Sequence, residues 1–183
     1  MKVQSPDLPH KTEIGGVKLN INSADEVSQA YVSLHKAGVQ HTDQSRLRGI
    51  LVQAMGDRGH ELIIGTVNDP VVGPLVLVGF GGIAVELYRD VTYRIAPINK
   101  QGAVEMIERL KSSALLKGFR GQAVIDLDPI AELIAAVSQI AWELRDVIDE
   151  FELNPVIVRS DGLTIADALM RKHAVSSLSL IHI

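Results

Sequence analysis

The chain contains no cysteine in its 183 residues, which removes disulfides, thiolate zinc sites and cysteine nucleophiles together and agrees with a reducing, cytoplasmic setting. Aromatic residues are scarce at 4%, and 22 acidic side chains outnumber 18 basic ones for a formal charge of −4. Neither the basic field nor the stacking platforms that nucleic-acid binding needs are there. Long apolar runs are missing too. The most apolar stretch, residues 71–85, is broken by Gly73, Pro74, Gly79, Gly81 and Gly82. It is too short to span a bilayer and reads as buried strands and turns, so no membrane partner is expected. Met1 to Pro6 lacks the apolar core of a signal peptide. What remains is 46% hydrophobic, enough to bury a sizeable core in one domain or two small lobes.

Punctuation and periodicity predict the elements. The opening is irregular, with Pro6, Pro9 and Gly15-Gly16 ahead of a candidate strand at 17–21. Ser23 stands three residues before Glu26, a capping-box spacing, and predicts a helix to about Lys36 with Val27, Ala30, Tyr31 and Leu34 inward. Runs rich in branched residues at 49–55, 62–67 and 75–78, separated by Gly56-Asp57-Arg58-Gly59 and Asn68-Asp69-Pro70, predict an antiparallel meander, and 91–96 can add a strand. Two helices follow. In the second, Pro129 suits the first turn after Asp126 or Asp128 as cap. Ile130, Leu133, Ile134, Val137, Ile140, Ala141 and Leu144 then form one stripe flanked by Trp142. A strand at 151–158, a turn at Ser160-Asp161-Gly162 and a return over 163–168 complete the pattern. Residues 176–183 have neither cap nor turn and read as a frayed end or cloning-derived sequence.

The last hairpin carries the most suggestive chemistry. If Asp161-Gly162 forms a two-residue turn, Asn154 faces residue 169 and Asp167 is its diagonal neighbour on the same face, together with Glu152. Two carboxylates and an amide oxygen make an oxygen-only site suited to Mg2+ shared with phosphates. On spacing alone, a solvated acidic face is the more ordinary outcome. The N-terminal loop gathers Lys2, Ser5, His10, Lys11 and Thr12 with Gly15-Gly16. Its cations, hydroxyls and backbone N–H donors can hold phosphate, or they can form a mobile basic terminus. Gly81-Gly82 fits either a tight turn or a ligand's close approach. Glu61 fits either a strand start or a site. His35, His41, His60 and His173 show no metal-ligand spacing, and no Walker loop or nucleophile elbow occurs.

Taken in order, the pieces resemble a known family. They run from Lys2 through Ser5-Pro6 and His10-Lys11-Thr12 to Gly15-Gly16-Val17, then Gly49 to Gln53, Glu61 to Gly65, Gly73-Pro74, and Gly79-Phe80-Gly81-Gly82-Ile83 with Glu86 and Asp90. Arg94 to Pro97 and Leu116 to Gly121 follow, and Glu152-Leu153-Asn154-Pro155 with Asp161-Gly162 and Ala166-Asp167-Ala168 closes the series. Collinear from Lys2 to Met170, it resembles the ATP-grasp domain of ADP-forming acyl-CoA (acetate–CoA) synthetases, relatives of the succinyl-CoA synthetase β subunit. The resemblance implies an α/β (α+β) ATP-grasp fold: a largely antiparallel sheet with packed helices and a truncated first lobe. Residues 1–47 would be that partial lobe, 48–170 the main lobe and 171–183 a tail.

The resemblance also implies roles. Lys2 matches the lysine that reaches a nucleotide phosphate, Gln53 and Glu61 the segment that meets adenine and ribose, and Asn154 and Asp167 the Mg2+ ligands. Gly81 and Gly82 go with the nucleotide-binding set. His10 matches a second, transient phosphoryl acceptor, and Glu152 could orient or stabilise an incoming phosphohistidine. Mg2+ and ATP or ADP are the implied cofactors, and the implied partner is a CoA-binding α subunit or domain carrying the phosphohistidine. The implied reaction is acyl-CoA + ADP + phosphate to carboxylate + ATP + CoA. Family members carry a helical stretch and a strand before the lysine matched by Lys2, so the nucleotide cleft is expected to be incomplete. That gap and a slightly positive mean hydropathy favour association, a second copy included. The alternatives are a regulatory ATP-grasp region of the kind found within protein lysine acetyltransferases, or a fragment that binds nothing tightly.

Overall fold

Helix α1, Ala24–His41, starts at the expected cap. The Ser23 hydroxyl accepts from the Glu26 N–H at 3.2 Å, and the Glu26 carboxylate reaches back to the Asn22 N–H at 2.7 Å. The helix continues past Lys36 to a Thr42 cap and buries Ala30, Leu34 and Gly38. Val27 and Tyr31, predicted to face inward, are 38% and 51% exposed. The cause is the cover: α1 packs on a two-stranded ladder, wide enough for a single row spaced by four residues.

That ladder pairs β1, Lys2–Gln4, antiparallel with β2, Gly49–Leu51. The segment expected as a strand at 17–21 contributes a single bridge, Val17 to Lys2. Val3, Leu8 and Leu34 form a core here, with Met1, Ile14, Leu47 and Ile50 against it. The structure is a computed structural model and describes residues 1–8, 10–81 and 90–173. It divides into two units, Met1–Met55 and Gly56–Ile183. The division falls after Met55 rather than after residue 47, since β2 pairs with β1 and not with the later strands.

In the second unit, β3 (His60–Asp69), β4 (Gly73–Phe80) and β5 (Val91–Ile95) form an antiparallel meander. Strand β6, Ile148–Arg159, joins the other side of β3, and β7 (Gly162–Ile165) and β8 (Ala168–Lys172) pair in succession along its free edge. The return strand predicted at 163–168 is thus two strands, broken at Ala166-Asp167. Arg171 and Lys172, assigned to a tail by sequence, are part of β8, whereas residues 174–183 lie outside the described residues. Alternation places Leu62, Ile64, Thr66, Val76, Val78, Val156 and Val158 on the face covered by α2 (Lys100–Glu108) and α3 (Asp128–Glu143). From α3, Ile130, Ile134, Val137 and Ala141 meet them as the stripe predicts, each large aliphatic contributing about 1.5–3 kcal/mol by burial. Leu133 and Ile140 lie at the stripe's half-buried margin, and Leu144, past the last turn, is exposed. Neither Asp126 nor Asp128 is the cap. Leu127 occupies that position, and the Asp126 carboxylate accepts from the Asp128 N–H at 3.0 Å in the turn before it. Among the described residues no helix is long and apolar enough to cross a membrane.

Candidate functional site

The second unit's sheet has a face not covered by α2 and α3, and the last hairpin places three predicted residues on it. Arg159 pairs with Gly162 and Val156 with Ile165, so the tight turn is Ser160-Asp161 and not Asp161-Gly162. The same register continues beyond the break, where Leu153 pairs with Ala168 and Glu152 with Leu169. Asn154 therefore stands directly opposite Asp167, rather than opposite residue 169 with Asp167 on the diagonal. Its N–H donates to the Asp167 carbonyl at 3.1 Å. Residues so paired share a face with Cβ atoms about 5 Å apart.

A bulge sharpens this placement. Leu62 pairs with Val156 and Ile64 with Leu153, which sets Asn154 and Pro155 together against Ile63. Leu153 and Val156, three residues apart, are both buried while Asn154 is exposed; strict alternation cannot do this, and the extra residue can. The Asn154–Pro155 peptide bond is cis. Glu152 Oε1 accepts from Asn154 Nδ2 at 2.7 Å. Glu152 and Asn154 are thus joined through their side chains, and the register sets Asp167 opposite Asn154 on the same face. Among the described residues no set of three or more His, Cys, Asp or Glu side chains could hold a metal. An amide oxygen and a carboxylate, without sulfur or imidazole, fit a hard divalent cation that completes its shell with water or phosphate.

Glu61 is exposed on β3, on the same face, opposite Ile157. The Gly81 N–H donates to its carbonyl at 2.6 Å, and a Cβ on Gly81 would lie 2.9 Å from Glu61 Cβ. Glycine at 81 answers the chain's own close approach. Gly82, with Ile83 and Glu86, lies outside the described residues. In the first unit, Lys2 sits on β1 opposite Leu51, Gln53 lies in the exposed segment after β2, and His10 is exposed. The loop around His10 is stitched down: Gly15 N–H donates to Thr12 at 3.1 Å, Gly16 N–H to Lys11 at 2.7 Å and Val3 N–H to Gly16 at 2.9 Å. The Gly15 and Gly16 donors offered by sequence as a phosphate cradle already have partners. Asp7 fastens the same region. Arg46 Nε and Nη2 each donate to it at 2.6 Å and Thr42 Oγ1 at 2.7 Å, and these bonds, the guanidinium's above all, hold its carboxyl down to about 2.

Sequence reasoning gave no role to two features of the open face. Gly65 pairs with Glu152, and a Cβ there would meet Leu77 Cδ2 at 3.2 Å and Glu152 Cγ at 3.8 Å; a lone glycine in a branched run was the available signal. Leu75 and Leu77 on β4, with Ile95 and Tyr93 opposite them on β5, make an apolar strip on that face, legible in the alternation of 91–95. A depression of about 610 Å3 lies elsewhere, against Arg58, His60, Gln122 and Arg159. The candidate site is an open sheet face.

A family model for the ATP-grasp domain matches residues 1–171. The chain belongs to the ATP-grasp family. This ATP-grasp chain is 36% identical over 170 residues to the β subunit of ADP-forming acetate–CoA ligase I from Pyrococcus furiosus, covering 93% of this chain and 73% of that one. It is 40% identical over 170 residues to ADP-forming acetate–CoA ligase I from Archaeoglobus fulgidus, a longer protein of which it spans 24%. The dinucleotide forming acetyl-coenzyme A synthetase 1 of Ca. Korarchaeum cryptofilum, solved with coenzyme A, Ca-AMPCP and HgCl+, matches with a TM-score of 0.86 at 40% identity, covering 93% of this chain and 74% of that chain. The same synthetase with coenzyme A and Mg-AMPPCP, its phosphohistidine segment pointing towards the nucleotide binding site, gives a TM-score of 0.78 at 39% identity, covering 94% and 75%. The resemblance read from motif order holds for both family and fold.

Proposed function

We propose that this chain is the nucleotide-binding module of an ADP-forming acyl-CoA synthetase. It transfers a phosphoryl group between a phosphohistidine on a CoA-binding partner and Mg2+-bound nucleotide, within acyl-CoA + ADP + phosphate ⇌ carboxylate + ATP + CoA. The observation that carries this reading is the Asn154–Asp167 pair, set side by side on the open sheet face of an ATP-grasp chain similar to acetate–CoA ligases. In the ATP-forming direction the P–N bond to imidazole breaks as a P–O bond forms to the terminal phosphate oxygen of ADP. Bound Mg2+ supplies neutralisation of the polyphosphate charge. Asn154 Oδ1 and the Asp167 carboxylate would hold it, and Glu61 on the same sheet face would hydrogen-bond the nucleoside; for Lys2 and Gln53, in the first unit, the family resemblance alone supplies the roles of phosphate cation and adenine contact. His10 serves as a second, transient phosphoryl acceptor in the same transfer: the P–N bond to the partner's imidazole breaks as one forms to the His10 imidazole, and that second P–N bond breaks as the P–O bond to ADP forms. The CoA-binding partner, on a separate subunit or a neighbouring domain, brings the acyl and CoA sites, and the setting is cytoplasmic.

Calorimetric titration of the chain with ADP and ATP tests this. Binding that requires Mg2+ and disappears in excess chelator is the expected result. No heat and no thermal shift with either Mg-nucleotide overturns the reading.

A further inference from the structure

Asn154 can serve a cation only through Oδ1, and an asparagine amide has two ends of nearly equal size, one an acceptor and one a donor. For an exposed side chain nothing intrinsic decides which end faces the cation. Here the neighbour two residues back on the same strand decides it. Glu152 Oε1 takes Asn154 Nδ2 at 2.7 Å, while the main-chain bond from Asn154 to Asp167 at 3.1 Å holds the backbone of the pair. An ionised carboxylate has no proton to give. A reversed amide would set two acceptor oxygens against each other, so the observed orientation is the one that bonds.

We infer that Glu152 is a positioning residue, which fixes the Asn154 amide with Oδ1 presented beside Asp167 so that the oxygen pair is formed before a divalent cation arrives. The inference rests on the reading of Asn154 and Asp167 as the cation's ligands. Groups that orient metal ligands through their other end commonly change metal affinity when removed. Glu152 acts here through Asn154, in the chain alone, with no phosphohistidine partner required.

The test is a titration of the chain plus ADP with Mn2+, which takes the same oxygen ligands, read as the loss of the free aquo-ion signal by electron paramagnetic resonance. Thermal midpoints without metal check that each variant folds. Asn154→Ala and Asp167→Ala each weaken Mn2+ binding by at least about tenfold, and Glu152→Ala weakens it by about tenfold. Glu152→Gln, which can still offer Oε1 to Nδ2, stays within about twofold. In an Asn154→Asp background the side chain has two equivalent oxygens and nothing to orient, so adding Glu152→Ala costs no affinity. A Glu152→Ala penalty that persists in that background, or a Glu152→Gln as weak as Glu152→Ala, assigns the effect to charge and overturns the inference. Normal Mn2+ binding by Glu152→Ala beside weakened Asn154→Ala and Asp167→Ala overturns it alone. Normal binding by Asn154→Ala and Asp167→Ala overturns the ligand reading, and the inference with it.

Discussion

Asn154 and Asp167 are joined by their main chains, N–H to carbonyl at 3.1 Å, while their side chains share the sheet face not covered by α2 and α3. The bond that sets the pair is independent of the side chains that would use it. Asn154→Ala and Asp167→Ala are therefore expected to leave stability within about 0.5 kcal/mol of the parent, as for most surface substitutions. Nucleotide affinity in Mg2+ is expected to drop to the level seen in chelator. Urea unfolding and calorimetry on the same samples check both halves; a variant that keeps its Mg2+-dependent affinity removes that residue from the ligand set.

Gly81→Ala tests a close approach inside the sheet. An added Cβ would sit 2.9 Å from Glu61 Cβ and 3.2 Å from the Glu61 carbonyl oxygen, and neither atom can swing aside as a side-chain tip can. The substitution should cost about 1–3 kcal/mol, as overpacking does, and weaken the 2.6 Å bond from the Gly81 N–H to Glu61. A lowered urea midpoint with an unchanged slope is the expected outcome. Parent stability would show that the two strands separate freely at this point.

What the sequence made legible and what it hid divide along a physical line. The Ser23 cap and the α3 stripe are local patterns, decided within one or two turns of chain, and both stand. Strand pairing is not local. Lys2–Gln4 is too short to announce itself, and its partner lies across the whole of α1. The Asp161-Gly162 pair is a strong turn signal, yet Gly162 is the first residue of β7. Moving the turn back by one position changes the register by two and converts a diagonal Asn154–Asp167 relation into a direct one. The bulge at Asn154-Pro155 depends on what β3 places opposite, which period-two reading of β6 alone cannot contain. Gln53 entered through family resemblance alone, and Lys2 and His10, first noticed as a cation and an imidazole in a polar loop, took their particular roles from it, because spacing within the loop names no ligand.

Asp90 is a further case where family order singled out a residue whose work the structure makes plain. It is 2% exposed, and its two carboxylate oxygens accept from the Lys111 and Ser112 N–H groups, each at 2.7 Å. It thereby caps the turn at Lys111–Leu115 and ties it to the start of β5. Asp90→Ala would leave two N–H donors without this acceptor and should cost about 2–3 kcal/mol. Asp90→Asn keeps one acceptor and should cost less. Equal loss in the two variants, measured by urea unfolding, would indicate that charge rather than hydrogen bonding holds the turn.

The end of β8 carries a pH-dependent contact. His173 Nδ1 lies 2.5 Å from Asp149 Oδ1, and Nε2 lies 2.9 Å from the Arg145 carbonyl oxygen. Both partners are acceptors, so both ring nitrogens are served only when both carry protons. The Arg145 carbonyl first, and then the Asp149 charge, raise the imidazole above its ordinary value of 6.5. A raised folded-state value means that protonation favours the folded chain. The stabilisation is complete below the ordinary value and is lost as pH rises through the folded one. The His173 Cε1–H resonance should therefore titrate above 6.5, and Asp149→Asn should bring its midpoint down. Hydrogen exchange at the His173 amide, which donates to Val147 at 3.0 Å, should show protection falling over the same pH interval once corrected for intrinsic rate. A midpoint at or below the ordinary value, unmoved by Asp149→Asn, would remove the contact as a titrating element.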